Sequence, residues 1–255
     1  MNRSMKAACW FLLLTAWFWS PAVSHAYDEA AMQVEMEGNE AGVTFLEGKA
    51  TLRPEDETHS VHLELNARLR NGDRVTTGPD ARIELTFADK SIIRFDEDTT
   101  FELIDVSYSR ESNKRDINIK MIMGRIWAKV SKIAGQKGGF DLHAVNAVAG
   151  VRGTTYRMNI LEDSSTVVKV YSGEVTVQKP VKGPDRVEAS HPVQGPHPVS
   201  GPGKISMEEW TYIVRAMQQI VVRPDGTAEK PVVFSVEADS NKWVRWNQER
   251  DAKSR

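Results

Sequence analysis

Arg82-Ile83-Glu84-Leu85-Thr86-Phe87 alternates polar and apolar residues and so places Ile83, Leu85 and Phe87 on one face of an extended chain. Ala88-Asp89-Lys90-Ser91 reads as a turn, and Ile93 and Phe95 resume the alternation beyond it. A period of two on both sides of a turn describes two half-buried strands, since a helix would repeat at 3.6. Phe101, Leu103 and Ile104 carry the pattern into a further strand. Ile117-Asn118-Ile119-Lys120-Met121 follows the polar loop Arg110 to Asp116, and Thr166 to Val177 closes the region. From Val43 to Gln178 the chain therefore reads as an all-β domain, a sandwich or a short β-roll of many short strands.

One device recurs within it. Leu46-Glu47-Gly48-Lys49-Ala50, Met123-Gly124-Arg125-Ile126 and Tyr171-Ser172-Gly173-Glu174-Val175 each set a glycine and a charge just before a strand. Glycine supplies a tight bend or a positive φ without a Cβ clash. The unequal spacing argues against a solenoid of fixed period and for one structural solution used repeatedly.

Beyond this region the composition changes. Residues 180–203 hold six prolines and four glycines, a composition that cannot sustain a sheet ladder and predicts an extended connector. The tail, 204–255, reads as helix and strand packed on the β domain. Ser206 with Glu209 forms a capping box, and Met207, Trp210, Ile213, Val214, Met217, Ile220 and Val221 share one helical face. This predicts one C-terminal amphipathic helix, stopped at Arg223-Pro224-Asp225-Gly226, with a strand over Val232 to Val236 and a short charged terminal segment around Trp243-Val244-Arg245-Trp246.

The N-terminus predicts export. Arg3 and Lys6 precede the uncharged run Ala7 to Trp19, and Ser24-His25-Ala26 supplies a small-x-small cleavage site, so residues 1–26 read as a signal peptide. The run is about seven residues short of the roughly 20 a membrane span requires, so no transmembrane segment is expected after cleavage. Cleavage would remove Cys9, the only cysteine, leaving a mature chain without disulfide or thiol chemistry. Loss of Arg3 and Lys6 leaves 31 basic against the 35 acidic residues, a balance that offers nucleic acid no general attraction.

The most specific stretch is Ala147-Val148-Ala149-Gly150-Val151-Arg152-Gly153-Thr154-Thr155-Tyr156-Arg157. It is joined upstream by Asn71-Gly72-Asp73-Arg74-Val75-Thr76-Thr77-Gly78 and Ala81 to Phe95, and downstream by Gly173-Glu174-Val175-Thr176-Val177. Taken in order, these segments resemble the FecR domain family. The resemblance implies an all-β domain outside the cytoplasmic membrane, in the best-known members part of a regulator that hears from an outer-membrane transporter and controls a sigma factor. Those regulators carry a cytoplasmic helical domain and a membrane span ahead of the β domain. Only six residues precede the apolar run here, so direct sigma regulation is not expected. Asp89-Lys90 stands where the family commonly has Asp-Gly, which predicts a different local turn geometry.

Within the motif, Gly150, Arg152, Gly153 and Thr154 read as structural. The Arg152 guanidinium, with five donors, would tie strand carbonyls together while Gly150 and Gly153 let the chain bend around it. The alternative is a carboxylate or anion contact on a ligand. Catalytic patterns are thin. Gly135-Gln136-Lys137-Gly138-Gly139 lacks the Walker A spacing and reads as a loop. His59 and His62 fall on opposite faces of an extended chain, and Asp96-Glu97-Asp98 lacks the alternating ligands of a calcium loop and reads as a solvated turn. No nucleophile elbow is present. No enzyme activity, metal or cofactor is expected.

Trp210, Trp243 and Trp246 remain as candidate binding residues, able to stack on sugar rings or anchor a protein, against the alternative that they close a core. The reading that follows is a non-catalytic periplasmic or secreted FecR-like module that acts in envelope signalling or assembly through a protein partner. The second is a structural envelope protein that holds polysaccharide with its C-terminal tryptophans.

Overall fold

The computed structural model describes residues 38–180 and 210–253. The predicted signal peptide of residues 1–26, the predicted connector beyond Pro180, and Met207 lie outside the described residues.

Seventeen strands and one helix make up the described chain. The first nine strands are β1 (Ala41–Glu47), β2 (Ala50–Arg53), β3 (Val61–His62), β4 (Arg68–Leu69), β5 (Arg74–Thr77), β6 (Arg82–Phe87), β7 (Ile92–Phe95), β8 (Thr100–Ser109) and β9 (Lys114–Lys129). The rest are β10 (Lys137–His143), β11 (Val148–Val151), β12 (Thr155–Ile160), β13 (Thr166–Ser172), β14 (Glu174–Gln178), β15 (Thr211–Arg215), β16 (Gln218–Val222) and β17 (Val232–Val233), followed by α1 (Lys242–Lys253).

The strands form two layers that share β9. Sheet I runs β4-β1-β6-β7-β9-β12-β13-β16-β17. Sheet II runs β3-β2-β5-β8-β9-β10-β11-β14-β15. Residues 114–123 of β9 pair in sheet II and 124–129 in sheet I, so the longest strand crosses between the layers. Pairing is antiparallel except between β9 and β10.

The expected glycine device is the corner of this roll. Gly48, Gly124 and Gly173 have φ of 76°, 99° and 79°, and each lies where the chain passes from one sheet to the other. Ile83, Leu85 and Phe87 point inward and are at most 1% exposed, as their alternation requires. Aromatic pairs stitch the layers: Phe95 of β7 stacks on Phe101 of β8, and Phe87 of β6 meets Phe140 of β10 edge to face with centroids 5.8 Å apart. Such pairs contribute about 0.5–1.5 kcal/mol each beyond the area they bury.

Two expectations are corrected here. The predicted helix from Ser206 is, over the described residues, β15, a bend at Ala216-Met217 and β16. The apolar residues fit a helical face, but Thr211-Tyr212-Ile213-Val214 and Ile220-Val221-Val222 are β-branched or aromatic and fit a pleated surface better. The deciding factor is tertiary: β14 and β13 offer unpaired edges, which β15 and β16 fill with five register pairs each. The helix lies instead at Lys242–Lys253, in the segment read as short and charged. The turn at Asp89-Lys90 also differs from expectation, because Lys90 takes φ 67°, the left-handed conformation that glycine would supply. Asp89 holds it there. Its buried carboxylate accepts from Ser91 N–H (2.8 Å) and Oγ (2.6 Å), and pairs at 2.6 Å with the buried Arg115.

Candidate binding faces

Strand alternation sends every second residue outward, so each sheet presents rows of neighbouring side chains, one per strand, about 4.8 Å apart. On sheet I the central row is Glu84, Arg94, Trp127, Arg157, Lys169 and Gln219. On sheet II the corresponding row is Asp105, Asn118, Asp141, Gly150, Thr176 and Ile213. One row is cationic and aromatic; the other is acidic and nearly bare at its centre.

The sheet I row is covered by the C-terminal segment. Asn241 caps α1 with its Oδ1 accepting from Val244 N–H at 2.9 Å, and Arg250 and Lys253 occupy the last turn, favourable to the helix dipole. The helix buries Trp243, Val244 and Asn247. Trp243 stacks on Trp246 with ring centroids 5.4 Å apart, and Trp246 in turn tilts against Phe45 of β1. The guanidinium of Arg82 lies 5.2 Å from the Trp246 ring and that of Arg250 5.1 Å, a cation–π cluster.

Two carboxylates of this segment sit on the row itself. Asp251 accepts from Arg94 at 2.7 Å and from Trp127 Nε1 at 2.9 Å. Asp239 accepts from both Arg157 and the Tyr171 hydroxyl and pairs with Lys169 at 2.7 Å. Arg94 also pairs with Glu84 of its own sheet at 2.6 Å. Burial raises the Asp239 pKa, but hydrogen bonds from Arg157, Lys169 and Tyr171 outweigh it and hold the carboxyl below its usual range. Glu84 behaves alike, burial being overcome by Arg94 and Arg250. The Tyr171 hydroxyl is pushed up by burial and by its bond to Asp239, so it serves as a donor.

Sheet II has no such cover among the described residues. Burial raises the Asp141 pKa, and His143 opposes that rise while Asp116 adds to it. Burial lowers His143, against the pull of Asp141. At one end of the roll, a shallow cavity of about 300 Å³ is rimmed by Lys90, Arg110 and Lys132 over the Asp89 turn.

The sequence-selected residues fall as follows. Gly150 is an ordinary strand residue and not the bend that was expected. Its missing side chain makes room for Asp141, whose Oδ1 would lie 3.0 Å from a Cβ placed there. Gly153, with φ 65°, does form the sheet II to sheet I corner. Arg152 is exposed and donates from Nη2 to the Gln136 carbonyl at 3.3 Å. Thr154 is buried and its Oγ1 donates to the Glu174 carbonyl at 2.8 Å, joining this corner to the one at Gly173. Trp210 is half-buried beside Tyr212, donating from Nε1 to the Gly226 carbonyl at 2.9 Å. Trp243 is 4% exposed. The structure brings Trp243 and Trp246 together and leaves Trp210 on the β15 side of the roll. Asp96, expected in a solvated turn, is buried between Arg82 (3.4 Å) and Arg125 (3.1 Å). His59 and His62 are exposed, and no group of candidate metal ligands occurs among the described residues.

Arg94, Arg157, Trp127, Tyr171, Asp239 and Asp251 were not singled out by sequence. The available signal was an arginine in mid-strand between inward apolar residues, as in Ile93-Arg94-Phe95 and Tyr156-Arg157-Met158. Their partners, 157 and 82 residues away, leave no local trace.

Residues 73–176, from the β4–β5 turn into β14, match the family model described as FecR protein. A search of curated proteins finds no match. Among solved structures, two crystal structures of a "putative anti-sigma factor" from Parabacteroides distasonis are similar at 15% and 16% identity. Each match has a TM-score of 0.44 and covers 64% of this chain and 61% of that one. No helix among the described residues is long and apolar enough to cross a membrane.

Proposed function

We propose that this chain, whose residues 73–176 match the FecR family model, is an exported, non-catalytic module of the periplasm or cell exterior that acts in envelope signalling or assembly by binding a protein partner. The observation that carries this reading is the coincidence of the family match with the middle of the roll. The matched residues include β9 and every strand that pairs with it. Within that span the buried Arg115–Asp89 pair holds structure, fixing the turn between β6 and β7. Function then falls to the outer faces that the scaffold presents.

The test is a cross-linked capture from intact envelopes with the mature chain, 27–255, read by mass spectrometry. Reproducible enrichment of one envelope protein is the expected result. Enrichment of glycan without protein would replace this reading with the polysaccharide-binding one, and turnover in a broad hydrolase screen would overturn the non-catalytic role. N-terminal sequencing of the fractionated native protein, beginning at Tyr27, checks the export route.

A further inference from the structure

The sheet I row and the segment that covers it stand in an unequal relation. Arg94 and Arg157 have side chains only 2% and 7% exposed, and a buried guanidinium is costly unless a carboxylate meets it. Sheet I supplies one such group, Glu84; the carboxylates that meet Arg157 and Lys169, and the second one on Arg94, come from residues 239 and 251. The face is thus built to receive acids, and the chain's own tail provides them.

The tail is attached through side chains alone. It contributes no rung to either sheet, the last strand ending at Val233. Its backbone bonds Asp239 to Ser235, Ser240 to Glu237 and Arg245 to Asn241 all close within the segment. A 12-residue helix is marginal in water without tertiary contacts. Only three of its residues are buried, so ion pairs and the indole cluster carry its attachment. Its departure would cost the roll no sheet hydrogen bonds, and would open a cationic and aromatic strip.

We propose that residues 235–253 are a displaceable strap, and that the strip of Arg94, Trp127, Arg157, Lys169 and Tyr171 beneath it receives an acidic, aromatic-bearing polypeptide segment of a partner in the strap's place. The inference rests on the binding-module reading and names its site. The strap is a template for the ligand. One carboxylate must reach Arg157 and Lys169, another must reach Arg94 and the Trp127 indole, and an aromatic ring must lie under Arg82. The Asn247 amide, 3.3 Å from Arg94 Nη1, and the stacked indoles favour a polypeptide over a polyuronate.

Native-state hydrogen exchange on the full chain is the first test. Amides of 242–253 should exchange through a local opening at least about 100-fold faster than those of β9 and β12. Exchange at the rate of those strands, through global unfolding alone, would overturn the proposal. The second test follows a fluorescently labelled synthetic peptide of residues 235–253 binding to the full chain. The Asp239→Asn/Asp251→Asn variant, with its own strap loosened, should bind it about tenfold or more tighter than the unaltered chain, and less tightly as salt is raised. Equal binding by a folded variant would overturn the proposal, and if the variant does not fold, the exchange experiment decides alone. Displacement of the strap by alginate and not by the peptide would overturn it in favour of acidic polysaccharide. A concentration-dependent dimer with exchanged straps would overturn it in favour of a second copy. A strap that stays shut in a chain that still captures an envelope protein would sink this inference and leave the binding-module reading standing.

Discussion

Gly124 lies inside the longest strand with φ 99°, and a Cβ there would overlap the Thr99 side chain and its Cα. Both the backbone conformation and the space exclude any larger residue, so Gly124→Ala should destabilise the roll by about 3 kcal/mol or more in urea unfolding. Lys90 is the converse case. It holds φ 67° with a side chain that is exposed, so the left-handed strain is not offset by packing of its own. Lys90→Gly should raise stability by roughly 0.5–1 kcal/mol, the relief of about 1–2 kcal/mol of strain less the added entropy of the unfolded chain. An unchanged urea midpoint would show that this turn is not strained. The sequence reading put Asp89 in a turn and Arg115 in the polar loop Arg110 to Asp116; the structure buries Arg115 in β9 and pairs the two, a contact between the β6–β7 turn and β9 that leaves no local trace.

At the level of elements, the tail shows how far tertiary demand overrides local pattern. β15 and β16 each extend one sheet, burying Val214, Ile220 and Val222. Full burial of three such side chains contributes about 1.5–3 kcal/mol apiece, which together rivals the stability of a typical domain. A chain ending at Gln178 should therefore fail to fold or should aggregate through the bared edges of β13 and β14. A chain ending at residue 234 keeps every strand and should give a cooperative unfolding transition by circular dichroism. If the shorter chain folds as well as the longer one, β15 and β16 are accessories and not members of the roll.

For the molecule as a whole, the strap makes acid a selective perturbant. Glu84 and Asp239 are held below the ordinary carboxylate range, so the attachment they give is complete above the unfolded pKa, about 4. It is lost as pH falls through their lower, folded values. Asp239 faces Arg157, Lys169 and Tyr171, and Glu84 faces Arg94, Arg250 and Thr44, so protonation leaves cations without counter-charges on a buried face. Asp96 and Asp141 run oppositely, their pKa values raised mainly by burial, so acidification relieves them and the roll itself should resist longer. Tryptophan fluorescence titrated downward from pH 7 should show strap release before the far-ultraviolet signal of the sheets changes. Coincident transitions would mean the strap and the roll unfold as one.

By itself the sequence determined the all-β class, the strands flanking Asp89-Lys90, the glycine corners and the FecR-like order of segments. Each is a local property: a period of two within one strand, or a backbone angle that glycine permits at little cost. Only the tertiary structure decided that β9 belongs to both sheets, that an apparent helix is two strands, and that the true helix carries the last two tryptophans. It alone placed Asp239 on Arg157 and Asp251 on Arg94. Edge pairing and ion pairing between distant residues depend on which surfaces the fold leaves open, and that is a property of the packed layers rather than of any stretch of chain.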